Sequence, residues 1–403
     1  MDACRILTIT SSSWRAYNPA QLVLESSGFV FEHLFLEELS SGTRGRFGSR
    51  KLAAYTSKEP VMRIRETVDR FRPDIIHLSP GRASTLATLR AMAGNRKTPI
   101  LLEHGAIDGL NILNPIDHAT FFNRRIAKLI VPTRAVVNSW LRRPGFQRLI
   151  GPDRCAVLPI PVEVPEPISQ KRKQAIRREL GLPESGFIVG TVCTVRAIKN
   201  LPFVAEVISK MPFSPLFAVV GSGKESELGQ LREAGGQSVR LLGRIPDAWK
   251  MMGAFDLFVT PTRLPGESFG IAPAEAMSQG VPVLTMNFGG TAEIIEHGVS
   301  GLALPMDHTA WALAILDLAQ DAQRLDAMGE AARERISRHF SAKVVARDLQ
   351  PAFQRQRLEP GAGDGGIQAQ SRGGVIEAAG RQRGAGRVHA GRQPAPQIYL
   401  PGN

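Results

Sequence analysis

Apolar residues fall along this chain in short dense runs, separated by longer stretches with helical spacing. RILTIT (5–10), FVFEHLF (29–35), DIIHL (74–78), PILLEH (99–104), AKLIVP (127–132) and CAVLP (155–159) occupy the first half. FIVGTV (187–192), FAVVG (217–221), VRLLG (239–243), DLFVT (256–260) and PVLTM (282–286) occupy the second. Several are apolar at consecutive positions, the pattern of strands covered on both faces. Between them, EPVMRIRETVDRFR (59–72) and ASTLATLRAMAG (83–94) repeat apolar residues at helical intervals, as the buried stripe of an amphipathic helix requires. Such alternation predicts an α/β protein built on parallel sheets. One open sheet holding all these strands would be unusually large, so two doubly wound domains are predicted.

The break between them is visible in composition. Residues 159–170, PIPVEVPEPISQ, carry four prolines and no helical pattern, as an interdomain linker does. The domains are placed at 1–162 and 163–338. Residues 308–354 read as helices, and 339–355 is expected to be a helix packing back toward the first domain. From 356 to 403 the chain turns to glycine, arginine, glutamine and proline. That segment holds too little apolar material for a core and reads as disordered.

Charge narrows the partners. Fifty lysines and arginines against 37 acids leave +13, which favours polyanionic partners: nucleic acid, anionic lipid or phosphorylated small molecules. Cys4, Cys155 and Cys193 form no metal-binding spacing and read as small core residues in a reducing compartment. No apolar stretch reaches the roughly 20 residues that span a bilayer, and MDACRILTIT lacks a secretory pattern. The expected location is cytoplasmic.

The chemistry concentrates in GESFGIAPAEAMSQGVPV (266–283), where Glu267 and Glu275 stand eight positions apart. DLFVT ends just before it, so this loop starts at the carboxyl edge of a sheet, where open α/β folds bind ligands. Gly270 precedes a helix of about nine residues with Pro273 in its first turn, and Gly280 closes it. A helix start presents free N–H groups and partial positive charge, a natural seat for a diphosphate. Glu275 in the first turns could take both hydroxyls of a ribose, and Glu267 a second hydroxylated group across the phosphates. Spacing alone leaves two solvated acids as an equal alternative.

The stretch resembles the Glu-x7-Glu signature of the family 4 retaining glycosyltransferases, whose fold is GT-B: two Rossmann-like domains facing a cleft. VRLLGRIPD (239–247), FGGTAEII (288–295), HGVSGLALP (297–305) and VGSGKESE (220–227) resemble further landmarks of that family. So do PDIIHL (73–78), EHG (103–105), VPTRAVVNSWL (131–141) and RCAVLPIPVE (154–163), although Ile160 and Pro161 replace the usual Asn-Gly. The similarity covers about residues 1–355 and is strongest from 187 to 305.

The resemblance implies that Glu275 binds the nucleotide ribose and Glu267 contacts the donor sugar. It brings the backbone of Phe269, Gly270 and Ile271 to sugar and phosphates. Lys199 matches the lysine of a basic pair that neutralises the diphosphate. Thr194 stands at the usual arginine, with Arg196 two residues later as its substitute. His104 matches a histidine approaching the transferred sugar, and Gly289 and Gly290 would line the sugar pocket. Gly243 and Arg244 belong to the expected donor site. SSSWRAYN (11–18) replaces the usual glycine-rich first loop, with Ser12 and Ser13 as weaker donors to phosphate or acceptor. No Asp-x-Asp occurs, so transfer without a metal or other cofactor is expected, the nucleoside-diphosphate sugar being a co-substrate. The expected acceptor is a glycan or lipid-linked sugar of envelope polysaccharide or lipopolysaccharide synthesis. TRGRFGSRK (43–51), KRKQAIRREL (171–180) and LRRPGFQRL (141–149) are candidates for an anionic membrane surface on the inner face. No specific nucleic acid is expected. A non-catalytic nucleotide-sugar-binding subunit of the same fold, and another GT-B enzyme such as an epimerase, are the alternatives.

Overall fold

The computed structural model describes residues 3–10, 19–36, 58–79, 81–107, 109–213 and 215–358. Ser12, Ser13 and the rest of SSSWRAYN, the segment TRGRFGSRK, and the tail from 359 lie outside these residues. Two parallel six-stranded sheets, each flanked by helices, make up the described fold. The first holds β1 (Cys4–Thr10), β2 (Phe29–Phe35), β3 (Ile75–Leu78), β4 (Ile100–Glu103), β5 (Ile126–Val131) and β6 (Cys155–Val157), ordered β2-β1-β3-β4-β5-β6. The second holds β7 (Ile188–Val192), β8 (Leu216–Val220), β9 (Val239–Gly243), β10 (Leu257–Thr260), β11 (Val283–Met286) and β12 (Gly301–Leu304), ordered β12-β11-β10-β7-β8-β9. Every pair of neighbours within these sheets is parallel. β12 is the strand that the apolar runs did not mark; it is a four-residue edge strand that opens on a glycine.

Consecutive apolar residues serve both faces of each sheet. In β1, Leu7 and Ile9 enter a core with Ile64 and Trp140, while Ile6 faces Ala20, Leu24, Val345 and Phe353. Helix Pro19–Ser26 and helix Ala342–Leu358 therefore cover one side of the first sheet. In the second domain Val189 and Leu257 pack toward Trp311 and Ile315, while Ile188 and Phe258 pack toward Met277 and Ile336.

Helix Ala322–His339 belongs to the second domain, and the chain then crosses back to the first. The two crossings touch: Val162 N–H donates to Phe340 O at 2.8 Å, and Val162 bridges to Ser341.

Strand order places the crevices. In the second sheet the connections run β7-β8-β9 one way and then return to β10 on the other side of β7. In the first, β2 and β3 lie on opposite sides of β1. The carboxyl ends of β7 and β10, and of β1 and β3, are thus the switch points where an open parallel sheet leaves room for a ligand.

Candidate active site

The loops leaving β7 and β10 are tied together at the second switch point. After β7 the chain turns through Val195 and Arg196 into a short turn, Ala197–Lys199. Arg263 N–H, in the loop after β10, donates to Ile198 O at 2.9 Å. Between the two loops the Lys199 ammonium pairs with the Glu267 carboxylate, both side chains about four-fifths buried. The same Glu267 oxygen accepts from the Thr262 hydroxyl at 2.6 Å. Glu267 is therefore held from both sides, and its orientation is set before any ligand arrives.

Three residues on, the backbone bends sharply. Gly270 takes φ +94°, a conformation that L side chains rarely adopt, and a Cβ there would meet Thr291 Oγ1 at 2.4 Å. That bend starts helix Ile271–Ser278, and Gly280 (φ +78°) lies just past its end. The helix start faces a cavity of about 290 Å³, lined among others by Thr194, Arg196, Lys199, Glu267, Gly270 and Ile271. The free amides of a first turn and two cations thus meet one partly open cavity, a setting for a diphosphate. Phe269 contributes its backbone, because its ring is buried against Phe340.

Glu275 opens onto a neighbouring cavity of about 660 Å³; Gly105, Ile160 and Ile271 line both. Burial, and then the nearby Glu163 carboxylate, push the Glu275 carboxyl up to about 7. Trp249 and Asp247, from the segment after β9, line the same cavity. Its far side is the carboxyl edge of the first sheet, where His77 pairs with Glu103 at 3.1 Å and Ser79 donates to Thr10 Oγ1 at 2.8 Å. His104 lines it too, its ring packed against Phe121 and Trp140 with centroids 4.8 and 5.1 Å away.

Eight of the expected residues thus surround the two adjoining cavities: His104, Arg196, Lys199, Glu267, Phe269, Gly270, Ile271 and Glu275. Four are placed elsewhere. Gly289 and Gly290, expected to line a sugar pocket, line neither cavity; they lie behind the Glu267 loop. A Cβ on Gly290 would fall 2.1 Å from Ser268 O, and Gly290 N–H donates to Glu267 O at 2.6 Å. Gly243 and Arg244 are exposed and also line neither, while Asp247 and Trp249 further along that segment do. The basic helix Gln170–Glu179 is only partly a surface feature. Lys173 and Arg177 both reach Asp256 at 2.7 Å, because that carboxylate, at the foot of β10, needs neutralising. Sequence reasoning missed Thr262, Glu163 and Trp249. Only Thr262 left a signal, a hydroxyl two positions past the end of β10 and on the side of Thr260.

Comparison with known proteins finds relatives of the second domain and of the fold. Residues 186–321 match the family model described as "Glycosyl transferases group 1". The chain is 28% identical over 197 residues to the GDP-mannose-dependent monoacylated alpha-(1-6)-phosphatidylinositol monomannoside mannosyltransferase of Corynebacterium glutamicum, covering 45% of this chain and 51% of that one. It is 30% identical over 202 residues to the lipopolysaccharide core biosynthesis mannosyltransferase LpsB of Rhizobium meliloti, covering 45% and 55%. It spans about half the length of these curated relatives. A glycosyltransferase from Rickettsia africae ESF-5 superposes with a TM-score of 0.72 at 16% identity, over 90% of this chain and all of that one. The fold of the described residues is the two-domain GT-B arrangement.

Proposed function

We propose, from the premise that residues 186–321 form a domain of the glycosyl transferases group 1 family, that this chain transfers a sugar from a nucleoside diphosphate to a glycan or glycolipid acceptor. One observation carries the reading: Lys199, Arg196, Glu267 and a helix start converge on a single cavity at the β7/β10 switch point, with Glu275 one helical turn further on. The two relatives named above are mannosyltransferases, one of a phosphatidylinositol monomannoside and one of lipopolysaccharide core biosynthesis. Their names favour a hexosyl donor and an envelope glycolipid or polysaccharide acceptor.

Breaking the bond from sugar to diphosphate builds negative charge on the leaving phosphate. Cations and amides fixed beforehand at that point lower the barrier without reorganising. In this reading Lys199, Arg196 and the amides after Gly270 receive the leaving diphosphate, and Glu275 accepts from the ribose hydroxyls. Glu267 orients the sugar, its carboxylate held by Thr262 and Lys199. This cation set supports transfer that needs no metal, and the acceptor hydroxyl would attack from the leaving-group side, retaining configuration. Arg196 supports the catalytic reading over a binding-only subunit, because it lines the cavity beside Thr194 and supplies the positive charge that Thr194 does not.

The reading extends to an anionic membrane surface holding the acceptor. Leu113 stands 84% exposed, its neighbour Ile112 lies against Gly145, and Arg142 and Arg148, three positions either side of Gly145, are exposed. Among the described residues no helix is long and apolar enough to cross a membrane.

The test is nucleotide release from UDP-, GDP- and ADP-sugars, with and without acceptor glycans. Acceptor-stimulated release of one nucleoside diphosphate is expected. Binding without turnover across the panel would leave a binding subunit, and no binding would refute both.

A further inference from the structure

The seam between the two domains carries an exchange of helix caps. Helix Arg134–Leu141 of the first domain starts after Thr133, whose extended backbone (φ −148°, ψ 161°) makes it the N-cap. A threonine there ordinarily accepts from an amide of its own first turn. Thr133 makes no such bond. Its hydroxyl, on a residue 3% exposed, donates instead to Ser268 O of the second domain at 2.6 Å. The first-turn amides are capped from across the seam. Glu293, on helix Gly290–Ile294 of the second domain, accepts from Arg134 N–H at 2.9 Å, and Ala135 N–H also bonds its carboxylate. Both contacts reach the Glu267 loop: Ser268 follows Glu267 directly, and Gly290, at the foot of the Glu293 helix, donates to Glu267 O.

We propose that Thr133 and Glu293 are positioning residues that latch the two domains together and thereby fix the Glu267–Ser268–Phe269 backbone against the cleft. Neither lines either cavity, so neither acts on the ligand directly. The groups around Glu293 show what the contact rewards. Arg134 lies on one side; on the other, Arg335 donates to the Glu293 and Ile294 carbonyls and pairs with Glu296. Crowding at the seam pushes the Glu293 carboxyl up, while the two amides and Arg134 pull it down. Its negative charge is thus disfavoured there, and what the latch uses is the oxygen lone pairs. An uncharged acceptor of the same shape serves.

The latch stands on contacts alone; its effect on turnover rests on the proposed transferase activity. The test uses the full chain with Thr133→Val, Thr133→Ser, Glu293→Ala and Glu293→Gln. Amide hydrogen exchange at Arg134 and Ala135 and the radius of gyration from small-angle scattering are read for each. Loss of the two amide bonds to Glu293 predicts at least about tenfold faster exchange in Glu293→Ala, with a larger radius of gyration for Glu293→Ala and Thr133→Val. Glu293→Gln and Thr133→Ser stay close to the parent in both readouts. In turnover, the two disruptive variants lose kcat and hydrolyse more donor without acceptor, because an open cleft admits water, while UDP and GDP bind as before. Unchanged scattering and exchange in all four variants overturns the latch, and a Glu293→Gln protein as open as Glu293→Ala overturns its lone-pair basis. Opening in the disruptive variants of a parent that turns over no nucleotide sugar would refute the transferase reading and support the latch.

Discussion

The carboxyl edges of the two sheets are built from the same parts and arrange their polar groups differently. At the second sheet the polar groups converge beside a small cavity: Lys199 paired with Glu267, Thr262 bonded to the same carboxylate, and a helix start lining the same space. At the first sheet the polar groups are spread along a larger cavity, paired among themselves as His77–Glu103 and Ser79–Thr10, with His104 wedged between aromatic rings. A compact arrangement of fixed charge suits one recurring ligand, a sugar diphosphate. A broader wall, whose polar groups come from separate segments, would suit the acceptor of the proposed transfer. On the proposed function, the difference separates a place where charge would converge on the leaving diphosphate from one where shape and hydrogen-bonding edges would receive the acceptor.

The most severe way to break this contrast is to remove one polar group from each edge in turn. Lys199→Ala should lower kcat by about 10²–10³-fold, the usual cost of deleting a fixed group that stabilises transition-state charge. Ser79→Ala, at the first edge, should change kcat by less than about tenfold, with its effect on KM for the acceptor; initial-rate kinetics on both variants read the two numbers. Equal losses would mean that the two edges are not functionally distinct.

A second prediction concerns the glycines behind the Glu267 loop. Gly290→Ala places a Cβ against the Ser268 carbonyl, which is backbone and has nowhere to go. Overpacking of this sort costs about 1–3 kcal/mol, read as a lower denaturation midpoint, and turnover should fall with it as the loop shifts. Gly94→Ala, with nothing near its Cβ, is the control and should leave both unchanged.

The smallest effect is in pH. Because the Glu275 carboxyl is raised to about 7, the folded chain keeps a proton there at pH values where the unfolded chain, with an ordinary carboxyl near 4.5, has released it. The folded state then binds more protons, so this group's contribution to stability is present at low pH and is lost as pH rises from about 4.5 through about 7. Donor affinity should move the other way over the upper part of that window, because the ionised carboxylate is the better acceptor for ribose hydroxyls. Glu163→Gln removes the neighbouring charge and should shift both profiles to lower pH, measurable by denaturation and by donor binding between pH 5 and 8.

How far the sequence revealed these edges follows from their construction. Strands buried on both faces must be apolar at consecutive positions, so eleven of the twelve described strands stood out, and only the short edge strand Gly301–Leu304 did not. The second edge was legible because its main parts lie within one strand–loop–helix passage from 257 to 278, where glycine and acid positions fix one another. The first edge draws Thr10, His77, Glu103 and Glu163 from separate segments, and no local pattern links them. Gly290 shows a different limit. A ligand and a neighbouring carbonyl both demand a missing Cβ, so a glycine alone cannot say which is present; the fold places the Ser268 carbonyl 2.1 Å from where a Cβ on Gly290 would stand. Thr133 and Glu293 were illegible as a pair because only the folded seam brings them to the same helix start.

The most direct measurement is a calorimetric titration of UDP-, GDP- and ADP-sugars into the parent chain and into Glu275→Ala at pH 8. Two hydrogen bonds to a charged carboxylate correspond to at least about a hundredfold in affinity, so one donor should bind the parent and bind the variant at least that much more weakly. If every donor binds both proteins equally, or binds neither, the β7/β10 edge is not a nucleotide-sugar site.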